Sequence, residues 1–261
     1  MWTLIAGAGS GIGNALARQL AGRGEYLILA GRTAAKLHGL ADDCRRQQPQ
    51  CQVLVHTADF SRLHEVDELT RSVRRATDTL GGLVYCAGEG DPAADLRRWD
   101  VADLNRALTV NVAAPLAMIQ GLSDCLHASH PAARIAMLGA GLDETVQQGT
   151  GSYGISKMAL RRLVRQLAVE FDASAQAPVI SLFQPGLVDT GGLRSHLAQA
   201  AELDLPHVEW VEQRLAEGAC LTAEQAASAL AYTLSDVPES DFHGAVFHGR
   251  DLVDSLSFSA S

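Results

Sequence analysis

The sequence predicts an α/β protein built on a doubly wound, seven-stranded parallel sheet with helices on both faces. Three observations predict it. Short apolar runs recur almost to the end of the chain, helical periodicity fills the gaps between them, and a glycine-rich string joins the first run to the first helix.

The apolar runs are Trp2–Ala6, Tyr26–Ala30, Gln52–His56, Leu83–Tyr85, Ile135–Leu138, Val179–Phe183 and Ala245–Phe247. Each is nearly continuous in apolar character, as a parallel strand covered on both faces requires. Between them, Ile12, Leu16 and Leu20 stack at i,i+4. Leu160, Leu163, Val164, Leu167 and Phe171 form a second stripe. Strand and helix in alternation give right-handed crossovers and hence the doubly wound sheet. The one long interruption, 191–221, contains Trp210 and helix-like stretches and is too long for an ordinary connection. Its place after the sixth strand suggests a substrate lid, because ligands bind at the carboxyl ends of such strands.

A length of 261 residues suits one large domain, expected to span 1–261. The net charge of −9 argues against a nucleic-acid or anionic-membrane binder. Cys44, Cys51, Cys86, Cys125 and Cys220 are odd in number and never form CxxC, which reads as reduced thiols. The histidines lack metal-ligand spacing, so no metal is expected. The run Trp2–Gly7 carries no basic lead or cleavage signal, and no apolar run approaches the roughly 20 residues of a membrane span. The expected location is the cytoplasm.

The first strand runs into Gly7, Gly9, Ser10, Gly11, Ile12 and Gly13 and then a helix. Glycines here allow a tight turn, let backbone approach a pyrophosphate, and leave helix N–H groups pointing at the phosphates. The second strand ends at Gly31-Arg32, where folds that prefer NAD place a carboxylate for the ribose 2′-hydroxyl. A guanidinium there suits a 2′-phosphate, so the expected cofactor is NADP(H). Further on, Tyr153 and Lys157 form a YxxxK at the start of a periodic helix, one turn apart on one face. A free tyrosine has a pKa near 10, and a neighbouring ammonium is expected to lower it toward working pH.

With these motifs in order the chain resembles the short-chain dehydrogenase/reductase family, a Rossmann-fold family, over essentially its full length. The resemblance implies roles residue by residue. Gly7–Gly13 matches TGxxxGIG with Ala6 replacing threonine, and Asp59, with Phe60 beside it, matches the adenine-pocket aspartate. Asn111 matches the catalytic asparagine that holds a relay water. Tyr153 and Lys157 match the acid–base pair. Pro185, Gly186, Val188 and Thr190 match the PGxVxT segment that holds the nicotinamide carboxamide. Ala87 and Gly88 remain from the family's NNAG, which reads Tyr85-Cys86-Ala87-Gly88 here. A homodimer or homotetramer, built on the helices around Asn111 and Tyr153, is also implied.

The larger departure is at Ala140, where the family's catalytic serine falls. No serine or threonine occurs from Arg134 through Asp143. Losing such a donor costs on the order of 10²–10³ in rate. Thr145, Gln147, Gln148, Thr150 and Ser152 are candidate substitutes, while Asp143 and Glu144 in the same loop read as solvated. Gly186–Thr190, the long lid and Glu217–Leu221 resemble sepiapterin reductase and bacterial benzil reductases, although His248 stands where the former carry a substrate-anchoring aspartate. The resulting expectation is an NADP(H)-dependent oxidoreductase that reduces a ketone or other carbonyl, or oxidises the matching alcohol, by hydride transfer, with Tyr153, Lys157 and Asn111 as catalytic residues. The alternative is a weak or inactive NADP-binding regulatory or scaffold protein, which the missing serine would favour.

Overall fold

The structure is a computed structural model that describes residues 1–90, 92–172 and 177–258. Seven strands form: β1 (Trp2–Ala6), β2 (Tyr26–Gly31), β3 (Val53–Thr57), β4 (Gly82–Tyr85), β5 (Arg134–Leu138), β6 (Val179–Gln184) and β7 (Val246–His248). Each lies within one residue of an expected apolar run at either end. They make one sheet in the order β3-β2-β1-β4-β5-β6-β7, and every adjacent pair is parallel. The chain winds outward from β1 in one direction and from β4 in the other. The crevice between their carboxyl ends is the switch point where such sheets bind ligands.

Alternation along β1 sends Leu4 to one face and Ile5 to the other. Helices α1 (Gly11–Gly22) and α2 (Ala34–Gln47) cover the Ile5 face, where Leu16, Leu20 and Leu37 are fully buried. α3 (Leu63–Ala76), α4 (Val101–Leu108), α5 (Ala114–Gly121), α6 (Ser123–His127) and α7 (Gly151–Asp172) follow. Buried residues of α3, α5, α6 and α7, among them Val66, Met118, Leu126 and Leu160, fill the Leu4 face. After β6 come α8 (Gly191–Glu202), α9 (His207–Ala216), α10 (Ala223–Ser235), α11 (Glu239–Phe242) and α12 (Gly249–Phe258). The 191–221 interruption is therefore a helical hairpin, α8–α9, turned at Asp204 with φ +49. Leu205 of this turn packs against Gly149 and joins Ala93 and Ala200 in a small apolar cluster. The hairpin thus touches the loops that leave β4 and β5.

α4 does not run smoothly into α5. A π-helical turn at Thr109–Ala113 separates them. Pro115 explains the break: it has no N–H to give the carbonyl four residues back, that of Asn111.

Candidate active site

At the switch point the backbones lock together. Ala6 O accepts from Cys86 N at 2.8 Å and Ala87 N at 3.1 Å, and Ala30 O accepts from Gly7 N at 2.8 Å. Gly7 has φ +90, and a Cβ on it would lie 2.5 Å from Ala87 N. A Cβ on Gly13 would lie 2.5 Å from Gly7 O. Only glycine fits either place. Ser10 precedes α1 with an extended backbone, and its side chain makes no capping bond to the helix N-terminus. Gly9, Gly11 and Ile12 complete the turn. Thr190 Cγ2 lies 3.4 Å from where a Cβ on Gly11 would be, which brings the segment after β6 against the glycine turn.

In that segment Pro185 and Gly186 (φ +81) lead to Val188, bridged to Leu221, and Thr190 Oγ1 accepts from Leu193 N at 3.3 Å to cap α8. On the other side, Arg32 follows β2 with its side chain 70% exposed and Nη1 4.0 Å from Glu89 Oε2. Asp59 Oδ1 accepts from Ser61 N at 3.0 Å and Ser61 Oγ at 2.8 Å. Burial opposes charge on Asp59, but these bonds, with Arg32 and Arg62 nearby, hold its carboxyl below the usual range. Phe60 is buried with its ring 5.7 Å from that of Tyr85. A close-approach glycine turn, a helix end without a side-chain cap and an exposed cation fit a dinucleotide phosphate.

The acid–base candidates converge beside this crevice. A Cβ on Gly88 would lie 3.6 Å from Lys157 Nζ and 3.7 Å from Asn111 Oδ1. Asn111 is fully buried: Nδ2 donates to Glu89 O at 2.7 Å and Ser156 Oγ at 2.7 Å, and Oδ1 accepts from Glu89 N at 2.9 Å. Its side chain is a brace with no spare donor. Lys157 Nζ donates to Leu138 O at 2.7 Å and stands 5.4 Å from the centre of the Tyr153 ring. The other face of that ring region is closed by Gly90, on which a Cβ would lie 2.8 Å from Tyr153 Cδ2.

Contrary to the expectation that lysine lowers the tyrosine, burial and then the Asp143 carboxylate push the Tyr153 hydroxyl up to about 12. Burial takes Lys157 down to about 8, with Cys86 and Asp143 opposing the fall. Desolvation raises the tyrosine because its charged form, the phenolate, would lose its hydration in the buried site, and it lowers the lysine because there the charged form is the protonated one.

The loop lacking serine is a short turn, Gly141–Asp143, entered from Ala140. The candidate substitutes are mostly turned to backbone: Thr145 Oγ1 donates to Gly141 O at 3.0 Å, Thr150 Oγ1 to Gln147 O at 2.9 Å, and Ser152 Oγ to Gly90 O at 3.5 Å. Gln147 is half-buried and Gln148 exposed. Glu144 is exposed as expected, but the solvated reading of Asp143 is wrong. Its side chain is 0% exposed, because Gln184 Nε2 donates to Oδ1 at 2.9 Å and Oδ2 at 2.8 Å, and Arg161 Nη1 lies 3.3 Å away. Sequence reasoning also missed Glu89, Ser156 and Gln184. Gln184 carried a signal, a large polar residue closing a strand that is apolar apart from Ser181.

A parallel sheet with helices on both faces and a glycine turn at its switch point defines the Rossmann class of folds. The short chain dehydrogenase family model matches residues 1–201. 11-beta-hydroxysteroid dehydrogenase type 2 of Oryctolagus cuniculus is 30% identical over 213 residues, 78% of this chain and 50% of that protein, so the chain spans about half the length of this relative. Sulfoacetaldehyde reductase 2 of Chromohalobacter salexigens is 31% identical over 207 residues, 72% of this chain and 76% of that one. The crystal structure of YwfH, an NADPH-dependent reductase involved in bacilysin biosynthesis, matches with a TM-score of 0.83 over 95% of both chains at 18% identity. The chain belongs to the short-chain dehydrogenase/reductase family, whose members are oxidoreductases that use a nicotinamide cofactor.

Proposed function

We propose that this chain is an NADP(H)-dependent oxidoreductase that reduces a small ketone or aldehyde, or oxidises the matching alcohol. The observation that carries it is Tyr153 and Lys157, one turn apart, converging with Asn111 at Gly88 beside the phosphate cradle. Gly7, Gly9, Ser10, Gly11, Ile12 and Gly13 would hold the pyrophosphate, Arg32 the 2′-phosphate, and Asp59 with the Phe60 main chain the adenine. Ala87 and Gly88 would line the ribose, and Pro185, Gly186, Val188 and Thr190 the carboxamide. The bound cofactor gives or takes the hydride. Tyr153 gives its phenolic proton to the substrate oxygen in reduction, and takes one back in oxidation. Lys157 replaces that proton from its ammonium side. Asn111 acts through its main-chain carbonyl, which Pro115 leaves without its α-helical donor, as the anchor of a relay water.

Several coarser features belong to the same reading. The 1–261 chain acts as one nucleotide-binding unit with 191–221 as its lid, since the α8–α9 hairpin reaches the loops beyond β4 and β5. Exposed Val101 on α4 and Ile155, Met158 and Val169 on α7 would be covered in a homodimer or homotetramer. Five free cysteines suit a reducing cytoplasm; among the described residues no helix is long and apolar enough to cross a membrane. Exposed His248 ends β7 where the resemblance to sepiapterin reductase implies an anchoring aspartate, which argues against a pterin substrate.

The test is NADPH and NADH binding, followed by NADPH oxidation against a panel of ketones, aldehydes and diketones. Tyr153→Phe is expected to lower turnover by about 10²–10⁴-fold, the share of a general acid, with NADPH binding kept. NADPH binding without Tyr153-dependent turnover would favour the regulatory reading, and no binding of either cofactor would remove both.

A further inference from the structure

The geometry points to Asp143 as a positioning residue: a buried carboxylate, locked into the loop that lacks the hydroxyl, that holds the Tyr153–Lys157 pair in its proton-donating form. This rests on Tyr153 and Lys157 being the proton-transfer pair.

Three successive turns of α7 grip the segment 138–143. Lys157 Nζ bonds to Leu138 O at 2.7 Å at its start. Leu142 O lies 3.0 Å from where a Cβ on Gly154 would be, so the turn presses directly on the residue after Tyr153. Arg161, one turn beyond Lys157, reaches Asp143 Oδ1 at 3.3 Å. From the sheet side, Gln184 Nε2 bonds both carboxylate oxygens and also approaches Ala140 O at 3.4 Å. Both oxygens face N–H donors, the arrangement suited to a carboxylate and not to its acid. The side chain cannot swing away, because it is held from α7 and from β6 at once.

The charge of this cluster does not cancel. Gln184 is neutral, and Arg161 is shared between Asp143 and Glu144, so one cation meets two carboxylates. Asp143 is the buried member. Facing the pair from other elements are Cys86, whose thiol burial pushes up to about 12, and the Gly90 backbone. Glu89 is turned toward Arg32 and Arg106. A fixed negative charge disfavours phenolate and favours ammonium, so it keeps protons on both Tyr153 and Lys157 to higher pH. That is the state needed when the substrate carbon gains hydride and its oxygen takes the phenolic proton. The charge thus extends to higher pH the protonated form from which reduction starts.

The chain has two lysines in all, Lys36 and Lys157. Lysine labelled with carbon-13 at Cε therefore gives two signals, and Lys157 can be titrated directly by NMR without substrate. In the wild type its midpoint is expected near 8. Asp143→Asn, which keeps the shape and can still pair with Gln184, is expected to lower that midpoint by about one pH unit, a tenfold change in ammonium fraction. The Lys36 signal is the internal control. The alkaline limb of Tyr153-dependent ketone reduction moves down with it. An unmoved Lys157 signal in an enzyme silenced by Tyr153→Phe overturns the role of Asp143 alone. Turnover surviving Tyr153→Phe overturns the proton-transfer reading, and with it the catalytic meaning of any shift. Should Asp143→Asn fail to fold, Asp143→Ser removes the same charge in a smaller side chain: the midpoint must again fall, and no fall refutes the inference.

Discussion

Arg32 stands at the mouth of the crevice with most of its side chain in solvent and a long contact, 4.0 Å, to Glu89. Such an exposed pair contributes little to stability, so the guanidinium is available for a stronger anion. Charge-assisted bonds to a 2′-phosphate contribute about 1.5–3 kcal/mol, or roughly 10–100-fold in affinity. Arg32→Glu is therefore expected to weaken NADPH binding by about that factor and leave NADH binding equal or tighter, as read by fluorescence titration of each cofactor. An unchanged preference would remove the NADP(H) assignment. Arg32 was legible in the sequence because both its charge and its place after a strand could be read. Asp143 was not. A carboxylate in a loop looks solvated until Gln184, 41 residues on, and Arg161, 18 residues on, are seen to enclose it.

At the scale of single elements, the β1–α1 turn and the π turn carry the site. Gly7→Ala would place a methyl 2.5 Å from Ala87 N in a backbone with φ +90. The neighbour is main chain just past β4, tied to Ala6 O, and cannot yield. The substitution is expected to cost on the order of 1–3 kcal/mol and to abolish nucleotide binding, checked by denaturant unfolding and NADPH titration. A fully stable variant that still bound NADPH would contradict this geometry. The glycine turn was readable because its conformation is demanded locally. The π turn was readable only in part. Pro115, four residues after Asn111, is a visible cause of helix disruption, whereas the bonds of Asn111 to Glu89 and Ser156 join residues 22 and 45 positions away.

For the molecule as a whole, the buried ammonium of Lys157 is a cost. Its pKa is about 8 in the fold and 10.5 as its ordinary value, so between these the unfolded chain binds more protons than the native one. Stability from this group therefore rises with pH across about 8 to 10.5, and the full penalty, about 3 kcal/mol, applies below 8. Lys157→Met is expected to unfold later than the wild type in urea at neutral pH, with an advantage that shrinks across that window. A constant difference between pH 7 and 10 would contradict the desolvation. The sequence by itself determined the seven strands, their parallel winding, the phosphate turn and the Tyr153–Lys157 spacing, because periodicity, glycine and i,i+4 geometry are local properties of a chain. Only the tertiary structure decided which carboxylate is buried, which amide is a brace, and that burial raises Tyr153 where the spacing to lysine suggested a fall. Those outcomes depend on desolvation, and desolvation is set by residues that are distant in sequence and meet only in the fold.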